Sequence, residues 1–156
     1  MRLGPLLTLL FALLLAAAPL PASVAPFKPD WVAVTLIYWS LASPRAFGLL
    51  TAFLMGLALD TLSGALLGQH ALGLVSVVYL STRFRLRLRA FPASQSTLAV
   101  AALLALYQFL LFWIDGMAGR TVPGIERWPP VVSGTLLWIF IWSAFDHGRE
   151  SAPARL

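Results

Sequence analysis

An all-α bundle of membrane-spanning helices is the fold class that this sequence predicts. The chain of 156 residues is 60% hydrophobic and only 11% charged, whereas an ordinary soluble domain carries roughly 25% charged residues. Its apolar residues are grouped into segments separated by short polar stretches. Because unpaired backbone groups are not tolerated in lipid, each spanning segment should be helical. We therefore expect one integral membrane domain over residues 1–156.

Six apolar segments are predicted to span the bilayer: residues 3–20, 31–43, 46–62, 65–82, 97–114 and 131–145. The second segment is short, since about 13 residues rise only about 20 Å. It must be extended at one end, lie buried among its neighbours or thin the bilayer. Asp30 is expected to cap the second helix, and Ser94 or Ser96 the fifth. Pro129 and Pro130 suit the first turn of the sixth.

Basic residues predict the orientation of the bundle. With six spans and a cytoplasmic N-terminus, eight basic residues lie inside and three outside. The inside set is Arg2, Arg45, Arg83, Arg85, Arg87, Arg89, Arg149 and Arg155, and the outside set is Lys28, Arg120 and Arg127. This asymmetry fits the positive-inside rule, so both termini are expected in the cytoplasm.

The first apolar segment also has features of a secretory signal peptide. Arg2 precedes it, and Ala16, Ala17 and Ala18 end it. However, Pro19 follows this small-residue cluster and opposes cleavage there. We therefore favour a retained first helix, and cleavage would leave five spans with the C-terminus still inside.

A ladder of small residues surrounds one carboxylate in the third and fourth segments. Its members stand four residues apart: Gly48, Ala52, Gly56, Asp60, Gly64 and Gly68. Small residues at this spacing allow close approach of another helix, either within the bundle or from a partner. An ionisable residue within a span is costly and usually has a partner or a function.

Asp60 is predicted to meet Gln69 and His70 in one polar cluster across the tight turn at residues 63–67. A carboxylate near a helix C-terminus opposes the helix dipole and therefore needs such partners. We favour a structural lock for this hairpin over a site for a ligand or a second subunit. On that basis, Asp60→Asn should be mild and Asp60→Leu severe.

Two polar regions flank the spans. The basic strip, defined as Arg83, Arg85, Arg87 and Arg89, directly follows the fourth span. Anionic lipid head groups are its expected partners, and a docking strip for a cytoplasmic protein is the alternative. The outer loop at residues 115–130 is either a solvated loop or a contact for an extracytoplasmic partner.

Several function classes receive no support. The net charge of +5 comes from residues between apolar segments, so we expect no nucleic-acid partner. The absence of cysteine excludes thiolate sites, and His70 and His147 form no metal-ligand pattern. Ser63 with His70 is a weak hydrolase signal without an oxyanion device. We therefore expect no enzyme activity, cofactor or metal.

The ordered set of motifs resembles the MreD family of bacterial rod shape-determining membrane proteins. The central match runs from Gly56 to Gly64 and continues from Leu67 to Leu72. It is supported by Pro29-Asp30-Trp31, Tyr38-Trp39, Pro44, Gly48-Leu49, Tyr79, the basic strip, Phe91-Pro92, Gln95 and the region of Trp138. The loop from Gly116 to Arg127 shows no matching pattern.

The resemblance implies a non-enzymatic scaffold of the cell-elongation machinery in the bacterial inner membrane. Such proteins bind MreC through its transmembrane helix and its extracytoplasmic region. Through MreC they connect to MreB, to RodA and to a class B penicillin-binding transpeptidase, and so help regulate cell shape and lateral peptidoglycan synthesis. The resemblance also implies a bundle similar to the substrate-binding subunits of energy-coupling-factor (ECF) transporters, so a small-ligand-binding or transport subunit is the alternative function.

Overall fold

The computed structural model describes residues 3–43, 47–121 and 124–150, and only the backbone at Glu126 and at residues 144–150. These residues form seven α-helices and no strand, which confirms the all-helical prediction for the described chain. The helices are α1 (Leu3–Ala17), α2 (Trp31–Ala42), α3 (Leu49–Ser63), α4 (Gln69–Arg83), α5 (Arg85–Ala90), α6 (Ala93–Met117) and α7 (Pro129–Glu150). Pro129 and Pro130 lie in the first turn of α7, as predicted.

The helices other than α5 overlap the six predicted apolar segments, with shifted ends. The largest differences are in α6 and α7, which extend the predicted 97–114 and 131–145 segments at both ends. The predicted start of the third segment at Ala46 lies outside the described residues. So do Arg2, Arg45 and Arg155, which were counted in the charge balance.

Two of the predicted helix caps are wrong. Ser94 and Ser96 lie inside α6, because that helix already begins at Ala93 after Pro92. Asp30 stands at the cap position of α2, but its side chain makes no capping hydrogen bond to the described backbone. Its carboxylate is used in a tertiary contact described below.

The two interior helices of the bundle are α2 and α4. Helix α4 forms an extensive hairpin with α3 and also packs against α2 and α6, while α1 packs on α2 and α7 on α6. Val32, Val34, Leu36 and Ile37 of α2 are each at most 1% exposed. Since these positions point to several sides, the short α2 is covered by neighbours around its circumference. Of the three possibilities for this helix, burial among neighbours is observed.

Close packing between α3 and α4 depends on Gly56. A methyl group at this position would overlap the backbone of Ala71, and both residues are buried. The backbones of the two helices therefore approach more closely than any side chain at position 56 would permit. Ala52, one turn earlier, is fully buried as well.

Among the described residues, one helix is long and apolar enough to be a candidate membrane span. Helix α6 has the length and composition to cross a bilayer, yet only 28% of its most apolar window is buried within the protein. Residues 3–17, 49–63 and 129–143 are apolar helical segments too short to pass the same criterion. A core helix of a soluble protein would be mostly covered, whereas α6 leaves large apolar side chains such as Leu98 and Trp113 exposed.

The two ends of the bundle differ in charge. We call one the acidic end, defined by Asp30, Asp60 and Asp115, which are the acidic residues whose side chains the structure describes. We call the other the basic end, defined by the basic strip after α4. Helix α4 runs from one end to the other, with His70 at its start and Arg83 as its last residue.

Candidate functional site at the acidic end

Asp60 closes the hairpin between α3 and α4. Its side chain is buried, and Oδ2 accepts a hydrogen bond from the Gly68 N–H at 2.7 Å. Oδ1 accepts one from the His70 N–H at 2.8 Å and lies 2.8 Å from His70 Nδ1. The carboxylate of the preceding helix thus caps the first turn of α4, where negative charge is favoured by the helix dipole. This contact offsets the unfavourable position of Asp60 near the C-terminus of α3.

The small residues of the ladder have two different structural roles. Ala52 and Gly56 are buried in helix packing. Gly64 and Gly68 have φ values of 62° and 96° and open space where a side chain would lie. Their contribution is the left-handed backbone of the turn, which glycine adopts most readily. Gly48 precedes α3 with an extended backbone.

Gln69 lies apart from the Asp60–His70 pair, although the sequence predicted that all three residues would form a single cluster. Its Nε2 donates to Asp115 Oδ1 at 2.7 Å, on α6. Adjacent residues on a helix point about 100° apart, so Gln69 and His70 cannot both face Asp60. The helical period could have revealed this separation from the sequence.

Asp115 and Arg127 form a second network at the acidic end that the sequence analysis did not identify as a site. Arg127 donates through a terminal guanidinium nitrogen to Asp115 Oδ2 at 2.5 Å, and both side chains are largely buried. The outer loop is therefore fastened to α6, and through Gln69 to α4. The sequence signal was the spacing of Gln108 and Asp115, which stand seven residues apart and therefore on one face of a helix.

Asp30 is linked to α6 across 78 residues of sequence. Gln108 Nε2 donates to Asp30 Oδ2 at 2.7 Å. Burial raises the pKa of Asp30 to about 6, although the Gln108 hydrogen bond and the charge of Arg127 lower it. The start of α2 is thus held against α6 by a polar contact rather than by a local cap.

A partly open cavity of about 160 Å³ lies between these polar groups. Its polar lining residues are Lys28, Asp30, Ser63, His70 and Tyr107. Lys28 Nζ donates to the carbonyl oxygens of Ala16 and Ala18, which are at the end of α1 and just beyond it. The cavity is lined by α1, by residues 28–33, and by α3, α4 and α6, and it presents both acidic and basic groups.

Two side chains that line the cavity, Ser63 and His70, already have hydrogen-bond partners within the chain. Ser63 and His70 both line it, but Ser63 donates its hydroxyl hydrogen to the Leu59 carbonyl at 2.5 Å. His70 Nδ1 is engaged with Asp60. Within the described residues no three His, Asp or Glu side chains come together as a metal site.

The basic strip lies at the opposite end of the bundle and is not uniform. Arg85 Nε donates to the Leu41 carbonyl at 2.8 Å, at the C-terminal end of α2. Arg83, Arg87 and Arg89 are exposed. Leu88 is 6% exposed and packs into the core, so the strip is attached to the bundle on one side.

Comparison with known proteins identifies relatives of the chain. A family model described as "rod shape-determining protein MreD" matches residues 2–145. The rod shape-determining protein MreD of Haemophilus influenzae is 33% identical over 104 residues, which cover 67% of this chain and 64% of that protein. The match thus spans slightly less than two thirds of the relative's length. No solved structure gives a significant match.

Proposed function

Since the chain belongs to the MreD family of rod shape-determining proteins, we propose that it is a non-enzymatic membrane scaffold that binds MreC. Proteins of this family are membrane proteins with a role in determining rod shape. On our proposal the scaffold connects MreC to the elongation machinery, including MreB, RodA and a class B penicillin-binding transpeptidase. The match over residues 2–145 is the observation that carries this proposal.

We propose a multi-pass topology in the bacterial inner membrane, with six spanning helices and both termini in the cytoplasm. The separation of charge along the bundle supports it. Four arginines lie at the end of α4 and in α5, at one end of the bundle, and the described carboxylates lie at the other. By the positive-inside rule, the basic end then faces the cytoplasm and the acidic end faces outward.

The cavity at the acidic end is our candidate contact for MreC. Ala52 and Gly56, which the sequence offered as a packing or partner face, are already buried inside the chain. A partner with a single transmembrane helix and an extracytoplasmic region leaves the membrane at the level of the acidic end. The cavity offers that partner both Lys28 and Asp30, together with Trp31. A mixed lining of this kind suits a peptide segment carrying polar and apolar side chains.

Filling the cavity tests this contact. Ser63 is exposed and lines the cavity, whereas Thr61 is exposed on the same helix and is not among the lining residues. Both hydroxyl groups donate only to carbonyl oxygens of their own helix, so the two substitutions remove similar bonds. Ser63→Trp should reduce recovery of co-purified MreC about tenfold or more, while Thr61→Trp should leave it unchanged.

The possible outcomes of this experiment distinguish the proposed cavity contact from the scaffold proposal. Full recovery of MreC with folded Ser63→Trp would remove the cavity from the interface but keep the scaffold proposal. Failure of the wild-type protein to co-purify MreC would contradict the scaffold proposal itself. Restoration of rod shape in cells lacking the native protein provides the matching functional readout.

The alternative, a small-ligand-binding or transport subunit of the ECF type, rests on the same cavity. Its volume of about 160 Å³ is small, since pockets for small molecules usually occupy about 300–1,000 Å³. Asp60 is committed to the hairpin, so Asp30 is the better residue with which to test this alternative. A small molecule retained by the purified wild-type protein and lost in Asp30→Asn, detected by native mass spectrometry, would favour it.

A further inference from the structure

The exposed part of the basic strip has no counter-charge in the described chain. Arg83, Arg87 and Arg89 are exposed and make no ion pair or side-chain hydrogen bond with other described residues. The described carboxylates of Asp30, Asp60 and Asp115 are all at the other end of the bundle. Among the described side chains, no carboxylate therefore balances these three positive charges.

These arginines lie on a hydrogen-bonded helical segment that is attached to the bundle. The Phe84 N–H donates to the Leu80 carbonyl, and the Leu88 N–H donates to the Phe84 carbonyl, so the helical bonding continues from α4 into α5. Arg83 and Arg87 are four residues apart along this nearly continuous helix and lie on the same side. Leu88 in the core and the Arg85 bond to Leu41 attach the other side to the bundle.

Large apolar side chains lie between the exposed arginines. Leu86 is 83% exposed and Phe84 is 47% exposed. A free anion would satisfy the arginines but would leave these apolar groups in water. A ligand with an anionic head and an apolar tail matches both features, because arginine can reach the head-group layer while its neighbours contact acyl chains.

We propose that Arg83, Arg87 and Arg89 form a binding surface for anionic phospholipid head groups of the cytoplasmic leaflet, with Leu86 and Phe84 contacting the acyl chains. The site depends on the proposed membrane topology, which brings this end of the bundle to the cytoplasmic surface. It is independent of MreC binding and of the cavity at the acidic end. Arg85 is excluded from the site because its guanidinium already serves α2.

Lipid binding to the purified protein tests the proposal directly. The dissociation constants of phosphatidylglycerol and phosphatidylcholine are measured by native mass spectrometry in detergent. Each arginine near an anionic surface contributes about fivefold in affinity. The combined Arg83→Gln, Arg87→Gln and Arg89→Gln variant should therefore bind phosphatidylglycerol about 100-fold more weakly, with phosphatidylcholine binding unchanged.

Two control variants keep the result interpretable. Arg120→Gln removes an exposed arginine from the outer loop and should leave phosphatidylglycerol binding unchanged. Replacing the same three arginines with lysine preserves both charge and topology, and should keep binding within about fivefold of wild type. If the glutamine variant inserts wrongly, the wild-type protein alone still tests the site, since its phosphatidylglycerol affinity should fall as salt is raised.

The contrary outcomes are distinct. Equal wild-type affinity for the two lipids would overturn the proposal and favour an acidic protein as the partner of the strip. Displacement of phosphatidylglycerol by millimolar glycerol phosphate would identify a site for free anions and would also overturn it. MreC recovery, measured on the same samples, reports separately on the proposed scaffold function.

Discussion

The acidic and basic ends of the bundle treat their charged residues in opposite ways. At the acidic end, three carboxylates are directed inward and each accepts hydrogen bonds from another part of the chain. At the basic end, three of the four arginines are directed outward and remain exposed. Charges at the acidic end therefore hold the fold together, while most charges at the basic end are available to something else.

Chain connectivity explains why the acidic end needs such contacts. The α3–α4 turn, the stretch before α2 and the outer loop all meet there. Their backbone polar groups require partners wherever they are buried. Asp60 supplies such partners for the start of α4, and Arg127 anchors the outer loop. The comparison predicts that substitutions at the acidic end change stability, whereas those at the exposed arginines change binding alone.

The largest effect is expected from Gly56→Leu, which attacks the packing beneath the acidic end. The side chain would overlap the backbone of Ala71, so α3 and α4 must separate and Asp60 must lose its bonds to α4. We expect a loss of more than about 3 kcal/mol in the free energy of unfolding. Denaturant titration in detergent micelles measures it.

Gly4→Leu is the matched control for this change. Position 4 lies on a helix and has open space around an added side chain, so stability should be nearly unchanged. A stable Gly56→Leu protein that still binds MreC would show that the close approach of α3 and α4 is dispensable.

Asp60 is the next position, and two substitutions there separate charge from hydrogen bonding. Asp60→Leu leaves the Gly68 and His70 N–H groups without their acceptor, which should cost about 3 kcal/mol. Asp60→Asn keeps one oxygen but turns an NH₂ group toward a donor, so about 1–2 kcal/mol should be lost. This is more than the mild effect that the sequence predicted for asparagine.

Thermal unfolding of both variants in detergent measures the difference. Equal stability of the wild type and Asp60→Asn would mean that one acceptor oxygen at position 60 is enough to hold the start of α4. A folded Asp60→Asn protein with normal stability but no MreC binding would assign the charge a role in the partner contact.

The sequence predicted the helices and the hairpin better than the tertiary polar contacts. Apolar segment length and the glycines at 64 and 68 are local signals, so the α3–α4 turn could be anticipated. The pairing of Asp60 with His70 followed because the two lie on either side of that turn. Their separation from Gln69 was missed, although the rotation between neighbouring helix positions contains that information.

Contacts between distant segments left no comparable signal. Asp30 was expected to cap α2, but it meets Gln108 because α2 and α6 pack together. No spacing rule connects residues 78 positions apart. Likewise, the ladder at Ala52 and Gly56 indicated close packing without identifying its partner, which is α4 of the same chain. Such pairings depend on how the helices are arranged in the bundle.

The Asp115–Arg127 pair should produce an intermediate effect. Each side chain is partly shielded from solvent, so removing one leaves the other buried with an incomplete set of partners. A double-mutant cycle of Asp115→Asn and Arg127→Met should give a coupling of about 1–2 kcal/mol in the free energy of unfolding.

Hydrogen exchange measures which backbone amides lose protection when the Asp115–Arg127 pair is removed. Backbone amides at residues 124–128 should exchange faster in Arg127→Met, whereas Arg120→Gln should not accelerate them. Zero coupling in the double-mutant cycle would show that the outer loop is held by other contacts.

The smallest effects should come from the basic end, where Arg85 and Arg83 provide an internal contrast. Arg85→Gln removes a charged donor from the Leu41 carbonyl near the C-terminus of α2, which should cost about 1 kcal/mol. Arg83→Gln removes an exposed side chain and should change stability by less than about 0.5 kcal/mol in lipid-free detergent. Thermal unfolding of both variants measures the difference.

If Arg83→Gln were as destabilising as Arg85→Gln without lipid, the exposed arginines would have an intramolecular role, and the contrast between the two ends would fail. If instead only phosphatidylglycerol brings out a stability difference between Arg83→Gln and wild type, the arginine charge acts through a bound ligand rather than through the fold.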